Sequence, residues 1–418
     1  VDGSEPAVRI LYLSYGSQSG VTAAVVGRLR AAGHEVRTFD PVAGFLYKRR
    51  LGPLRVPNVR LDAILATAAA VARFGPRWKS WYVHTCWAFD RLTARCDRAI
   101  AAFRPDAILQ AGCLFAPGRD PGVPTYVYCD HTRAINEAYP PLAGLEPAIP
   151  FEPGWRCREA AVYRRAAAIF SMSDFARASL VATYRVDADR VHVVGAGPNV
   201  VAEDLAGGWR AGAVASAARA PRTFLFVGKE FARKGGPELL AAFAAVRARC
   251  PDAELWMVGG QQPVRAPAGV RLLGRVPLVD VARLYRRASV FVLPTLREPF
   301  GLAYLEAMSF GLPCIGTTIE AIPEIVEDGV TGRLVPPRDV PALAAAMLAL
   351  ADDPARAAAM GQAGRARVAQ RFGWDRAVER MLQVVEGRAA RAGEPPSPPR
   401  ARSAPLLAPL AEASQLAP

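Results

Sequence analysis

Lysine is almost missing: the 418-residue chain holds four, beside 48 arginines. Cysteine is sparse too. The seven (Cys86, Cys96, Cys113, Cys129, Cys157, Cys250 and Cys314) are an odd number without a CxxC pair. That excludes a disulfide scaffold and most zinc modules, and points to a reducing compartment. No apolar run approaches the roughly 18 residues needed to cross a bilayer. The start, VDGSEPAVRILYLSYG, lacks the basic-then-apolar order of a secretory signal. The GxGxxG fingerprint of a nicotinamide enzyme is absent as well, since the nearest string, GAGPNV at 195–200, has no third glycine. These absences predict a cytoplasmic globular protein.

What is present is an ordinary core and an uneven charge. Apolar residues make up 51% and charged residues 22%, as in soluble globular proteins. The length predicts two medium domains or three small ones. The net charge is +14, and residues 41–98 hold eleven Lys or Arg against three Asp and no Glu. Such clustering implies a polyanionic partner, whether nucleic acid, anionic membrane or phosphorylated substrate. A coding bias towards arginine explains the identity of the basic residues better than their clustering. No nucleic-acid recognition motif is visible, so no nucleic-acid partner is expected.

The chain alternates strands with helices. VRILYLS (8–14), DAILQ (106–110), PTYVYC (124–129) and AAIFS (167–171) are short apolar runs, each followed by a polar or glycine-rich loop. A second series begins with TFLFVG (223–228) and continues through ELWMVGG (254–260), VRLLG, SVFVLP (289–294) and PCIGTT. This pattern predicts an α/β protein: two Rossmann-like, doubly wound parallel-sheet domains facing a cleft. The expected division is 1–198, a linker at 199–220, a second domain at 221–372, and a helix at 373–390 crossing back to the first. The Pro- and Ala-rich tail from 391 to 418 is expected to be disordered.

Chemistry concentrates in LREPFGLAYLEAMSFGLP, residues 296–313. Glu298 lies just beyond a strand. Phe300 and Gly301, with Leu302 beside them, open the next helix, and Glu306 lies within it. A helix N-terminus suits a diphosphate, and glycine lets a ligand approach the backbone. Two carboxylates there would repel phosphate, so they are better employed accepting bonds from hydroxyls. A nucleotide sugar offers that combination. A capping charge is the plainer reading of a Glu at a helix entrance.

The spacing of Glu298 and Glu306, within EPFGLAYLE, resembles the Glu-x7-Glu motif of the retaining family 4 glycosyltransferases. GLPCIGTTIEAIPEIVEDGVTGRLVPPRD looks like the continuation of that family's donor domain. The resemblance is strong over residues 223 to about 385. It implies the GT-B fold, a nucleoside-diphosphate sugar as donor, no metal and no other cofactor, and retention by front-side attack. It also implies that Glu298 holds hexose hydroxyls, that Phe300, Gly301 and Leu302 lie at the donor, and that Glu306 holds the ribose. One departure is TIEAIPEIV, where Glu320 and Ala321 occupy a turn that carries a glycine pair in many relatives.

In the loop VGKEFARKGG, Lys234 matches the family lysine that neutralises the departing diphosphate, and either Lys229 or Arg233 serves as its basic partner. Two of the chain's four lysines fall in this one loop. In VYCDHTRAINEAYPP, His131 matches a donor-sugar contact of similar enzymes; the alternative is that Asp130 is the important residue and His131 its neighbour. GSQSG, ending at Gly20, either approaches the diphosphate or is a plain strand-to-helix turn. A glycoside hydrolase is disfavoured by the basic loop. A nucleotide-sugar epimerase and a non-enzymatic anion-binding protein remain as alternatives.

The acceptor is not legible. RFGPRWKSWYVHTCWAF places Trp78, Trp81 and Trp87 among Arg73, Arg77 and Lys79, with Lys48, Arg49, Arg50, Arg55 and Arg60 upstream. Such a segment suits an anionic membrane surface, with tryptophan at the headgroups. Peripheral membrane contact and a membrane-borne acceptor are the expectation; filling of the first domain's core and a soluble acceptor carrying phosphate are the alternatives.

Overall fold

The computed structural model describes residues 7–16, 18–45, 47–51, 54–57, 61–75, 78–138, 152–201, 222–260 and 265–391. Along the chain come β1 (Arg9–Leu13), β2 (Glu35–Phe39), the antiparallel pair β3 (Tyr47–Leu51) and β4 (Leu54–Pro57), then β5 (Ala107–Ala111), β6 (Thr125–Cys129), β7 (Ala168–Ser171) and β8 (Val191–Val193). The second series is β9 (Thr223–Gly228), β10 (Glu254–Gly259), β11 (Val270–Gly274), β12 (Val290–Val292), β13 (Cys314–Thr317) and β14 (Gly332–Val335). Two six-stranded parallel sheets result, ordered β2-β1-β5-β6-β7-β8 and β11-β10-β9-β12-β13-β14. We call them the first and second halves.

Helices cover both sheets. In the first half they are α1 (Val21–Ala31), α2 (Leu61–Phe74), α3 (Trp78–Trp81), α4 (Cys86–Phe103), α5 (Arg133–Ala138), α6 (Pro153–Arg165) and α7 (Asp174–Ala182). In the second they are α8 (Gly236–Arg249), α9 (Leu278–Arg287), α10 (Leu302–Ser309), α11 (Ile322–Ile325), α12 (Val340–Asp352) and α13 (Pro354–Arg371), followed by α14 (Trp374–Arg391). Strands covered on both faces read as unbroken apolar runs, and every residue of β5 and β6 is buried. Apart from Thr125 at the start of β6, the polar exception is Gln110. Its Nε2 donates to the carbonyls of Gly112 at 2.8 Å and Phe115 at 2.7 Å, pinning the turn that follows β5.

The strand order reverses between β1 and β5 in one sheet and between β9 and β12 in the other. Loops leaving such a reversal diverge to opposite faces and open a crevice at the strand carboxyl ends. Contacts among the described residues join the halves. Glu324 accepts the N–H groups of Asp174 and Phe175 at 2.9 and 2.8 Å. Arg297 reaches Asn136 at 2.7 Å, Gly373 donates to the Ala196 carbonyl at 3.1 Å, and Arg28 pairs with Asp375 at 2.9 Å.

Several expectations need amendment. The run at 289–294 yields only a three-residue strand, because Thr295 N–H already turns back to the Leu293 carbonyl at 2.8 Å. VHV and GRLV form edge strands β8 and β14 that the apolar pattern did not reveal. The tryptophans go largely to packing: Trp81 meets Phe74 edge-on at 5.8 Å and Trp87 lies 6.2 Å from Phe45. The tail from 392, Arg60, Arg77 and all of the expected linker except residues 199–201 lie outside the described residues. The chain divides into two compact units, residues 1–381 and 382–418; of the second, residues 382–391 are described, as helix.

Candidate active site

The two loops that leave the β9/β12 reversal carry the basic residues and the first motif glutamate. After β9, Gly235 takes φ 72°, and a Cβ there would stand 1.8 Å from the Pro294 carbonyl oxygen. Only glycine lets the lysine loop press against the loop after β12. The two are then stitched together. Leu296 N–H donates to the Arg233 carbonyl at 2.8 Å, and Arg233 Nη1 donates to the Arg297 carbonyl at 2.6 Å. Lys234 Nζ consequently meets the Glu298 carboxylate in an ion pair whose side chains are 13% and 10% exposed. That low exposure matters, because a shielded pair is weakly screened and each partner depends on the other.

Arg233 also pairs with Glu230. Burial opposes the guanidinium charge, but Glu230, then Glu298 and Glu320, outweigh it and raise its pKa. Lys229, the other candidate for the basic partner, is exposed at the end of β9. Between the two, the structure brings Arg233 to the Glu298 loop.

Gly301 is the N-cap of α10, with φ 111° and no side chain capping the helix. Phe300 is buried and lies against Phe372, 6.4 Å between ring centres, while Leu302 is half-buried. One turn on, Glu306 accepts the Tyr285 hydroxyl at 3.1 Å. Burial raises its pKa to about 7, against the opposing effects of Tyr285 and the Asn199 N–H. Asn199 also touches the first half's glycine turn: its Nδ2 donates to the Ser19 carbonyl at 2.5 Å, and it packs on Gly20. The turn before α1 is left-handed at Gln18, Ser19 and Gly20, so the glycine turn of the first half is brought to Glu306 through Asn199.

From β6 come Asp130 and His131, joined Nδ1 to Oδ1 at 2.7 Å. Enclosure by protein opposes the Asp130 charge, but His131 outweighs it and lowers its pKa. His131 rises in turn, against its own desolvation, through Asp130 and more weakly Glu159 and Glu320. Behind them Glu159, 2% exposed, accepts Arg133 N–H at 3.0 Å and the Tyr163 hydroxyl at 3.1 Å, and also the Tyr184 hydroxyl. Desolvation raises its pKa. The influence of Glu320 on His131 crosses from the second half to the first.

The candidates therefore gather at facing strand ends: Lys234, Arg233, Glu298, Phe300, Gly301, Leu302 and Glu306 on one side, with Asp130, His131 and Gly20 on the other. Asn199, Tyr285, Arg297, Asn136 and Glu159 carried no sequence signal. Asn199 falls within the expected linker, and the rest are partners only through the fold. Chemically the cluster offers two cations, an uncapped helix N-terminus and carboxylates suited to hydroxyl donors.

Residues 221–353 match the family described as Glycosyl transferases group 1. A glycogen synthase of Mycobacterium tuberculosis is 34% identical over 198 residues, which are 44% of this chain and 47% of that protein. A GDP-mannose-dependent monoacylated alpha-(1-6)-phosphatidylinositol monomannoside mannosyltransferase of Corynebacterium glutamicum is 35% identical over 169 residues, 37% of this chain and 44% of that protein. The chain thus spans about half the length of the curated relatives it matches. Among solved structures, a sucrose-phosphate synthase from Thermosynechococcus elongatus superposes with TM-score 0.67 at 22% identity, covering 91% of this chain and 99% of that one. A glycosyltransferase from Rickettsia africae gives TM-score 0.61 at 14% identity, covering 92% and 99%. Residues 221–353 accordingly belong to the group 1 glycosyl transferases, and the chain that carries them has the GT-B fold.

Proposed function

We propose that the protein transfers a hexose from a nucleoside-diphosphate sugar to an acceptor hydroxyl, with retention and without a metal. The observation that carries this reading is the Lys234–Glu298 pair at the β9/β12 reversal, in the loop that leads into the helix bearing Glu306. Glu298 accepts hexose hydroxyls and Glu306 the ribose hydroxyls. The α10 N-terminus, Lys234 and Arg233 hold the diphosphate, and His131 faces the reacting sugar. As the glycosidic bond breaks, negative charge grows on the leaving diphosphate. Cations already in place stabilise it without reorganising, an effect worth several kcal/mol. The diphosphate oxygen then takes the acceptor proton on the same face, so retention needs no protein nucleophile.

The test is thermal-shift screening of nucleoside diphosphates and their sugars, since a ligand of the folded state raises Tm, followed by product analysis with and without acceptors. Lys234→Ala and Glu306→Ala should each lower transfer at least tenfold while remaining folded. Near-native turnover in both variants overturns the assignment. Isomerised donor sugar in the absence of acceptor favours an epimerase instead.

The acceptor side is read as membrane-facing. Among the described residues no helix is long and apolar enough to cross a membrane. On α2, however, Ile64, Leu65 and Val71 are 52%, 50% and 43% exposed, directly after the β3/β4 segment that carries Lys48, Arg49, Arg50 and Arg55. Two matched relatives are named as phosphatidylinositol mannosyltransferases, which supports a lipid-borne acceptor. Sedimentation with anionic vesicles should bring the protein down at low salt and release it at high salt. No sedimentation at low ionic strength overturns this reading.

A further inference from the structure

Glu320 stands in the left-handed region, at φ 47°, which glycine enters freely and a residue with a Cβ enters at a cost. What accompanies that strain is a side chain with several partners. Its carboxylate has no exposed surface. One oxygen accepts the main-chain N–H of Glu298, and the other accepts Arg297 Nε at 3.1 Å. The peptide between Arg297 and Glu298 is thereby held at both ends. Its carbonyl takes Arg233 Nη1 at 2.6 Å and Thr295 Oγ1 at 2.8 Å, and its N–H goes to Glu320. Arg297 carries the chain of contacts onward, from Glu320 to Asn136 Oδ1 at 2.7 Å on α5 of the first half.

We propose that Glu320 is a positioning residue for Glu298, and that through Arg297 and Asn136 it ties the aim of the Glu298 carboxylate to the seating of the first half against the second. A glycine at 320 would leave the Glu298 N–H open to a ligand. Here that N–H is occupied within the protein, so a sugar bound at this edge meets the Glu298 side chain and not its backbone. Because Arg297 shares its guanidinium between Glu320 and Asn136, parting of the halves removes one anchor of the turn that bears Glu298. Recognition of donor hydroxyls is in this way coupled to closure of the crevice. The coupling rests on the donor-site reading for its catalytic consequence only; the hydrogen-bond arrangement stands apart from it.

The test uses Glu320→Gly, Glu320→Gln and Asn136→Ala in the full chain. Glycine relieves the backbone but removes a buried acceptor, so Glu320→Gly should remain folded while hydrogen exchange over residues 295–301 becomes at least tenfold faster. Asn136→Ala should speed the same segment less. Wild-type exchange there, or loss of protection spread evenly over both sheets, overturns the proposal. With nucleotide sugar as substrate, Glu320→Gly should lower kcat at least tenfold with donor KM within threefold. Glu320→Gln should recover part of the loss, because its amide oxygen still accepts the Glu298 N–H. An unchanged kcat beside faster exchange also overturns it. If the wild-type chain turns over no nucleotide sugar, the functional reading fails, and exchange alone decides the placement of Glu298.

Discussion

Glu306 is the residue whose protonation the fold alters most usefully. Its carboxyl, ordinarily at 4.5, stands at about 7 because burial disfavours its charge. Between those values the folded chain holds a proton that the unfolded chain has released. Stability therefore falls as pH rises through that window and levels above about 7, by at most about 3 kcal/mol. Glu306→Gln removes the effect. The variant's Tm relative to wild type should climb between pH 5 and pH 8, by roughly 2–5 °C for a chain of this size. A difference that stays flat with pH would place the carboxyl at its ordinary value. Ribose hydroxyls donating to the carboxylate would lower its pKa, so nucleotide binding near pH 7 should also release protons, visible as a buffer-dependent heat in calorimetry.

Among elements, α7 begins on an acceptor supplied by the other half. Ser173 Oγ accepts Ala176 N–H at 3.1 Å, and Glu324 supplies the acceptor for Asp174 and Phe175. A carboxylate at a helix N-terminus satisfies free N–H groups and opposes the macrodipole, together worth about 1–2 kcal/mol. Glu324→Ala should lower Tm by a few degrees and speed exchange at the first turn of α7, with Glu324→Gln intermediate; an α7 exchange rate unaffected by either change would assign the cap to Ser173 alone. The contact also shows why sequence reads some features and not others. β5, β6 and β9 are legible because both faces are buried, leaving continuous apolar runs. β8, at three residues with a central His192, has too little of one. The spacing from Glu298 to Glu306 is a property of one loop and one helix, and so can be seen in the chain. Asn199 beside Gly20, or Glu324 beneath α7, joins residues about 150 or more apart, and nothing local records the pairing.

For the whole molecule, the decisive segment is the start of α14. Trp374, Ala377, Val378 and Met381 are buried, at 3%, 0%, 2% and 1% exposure. Gly197 of the first half lies so close that a Cβ there would stand 2.4 Å from Trp374 N, and Arg28 closes on Asp375 at 2.9 Å. A chain that leaves the second sheet at α13 thus returns to the first half within a few residues. Deleting a buried aromatic typically costs about 3–5 kcal/mol, against a total stability of roughly 5–15 kcal/mol. Losing Trp374, Val378 and Met381 together costs an amount of the same order as that whole margin. Truncation after residue 372 should therefore abolish soluble expression, whereas truncation after 391, which leaves every described residue in place, should keep Tm and transfer at wild-type levels. Soluble, active protein ending at 372 would mean that the two halves hold together through Glu324, Arg297 and the crevice contacts alone.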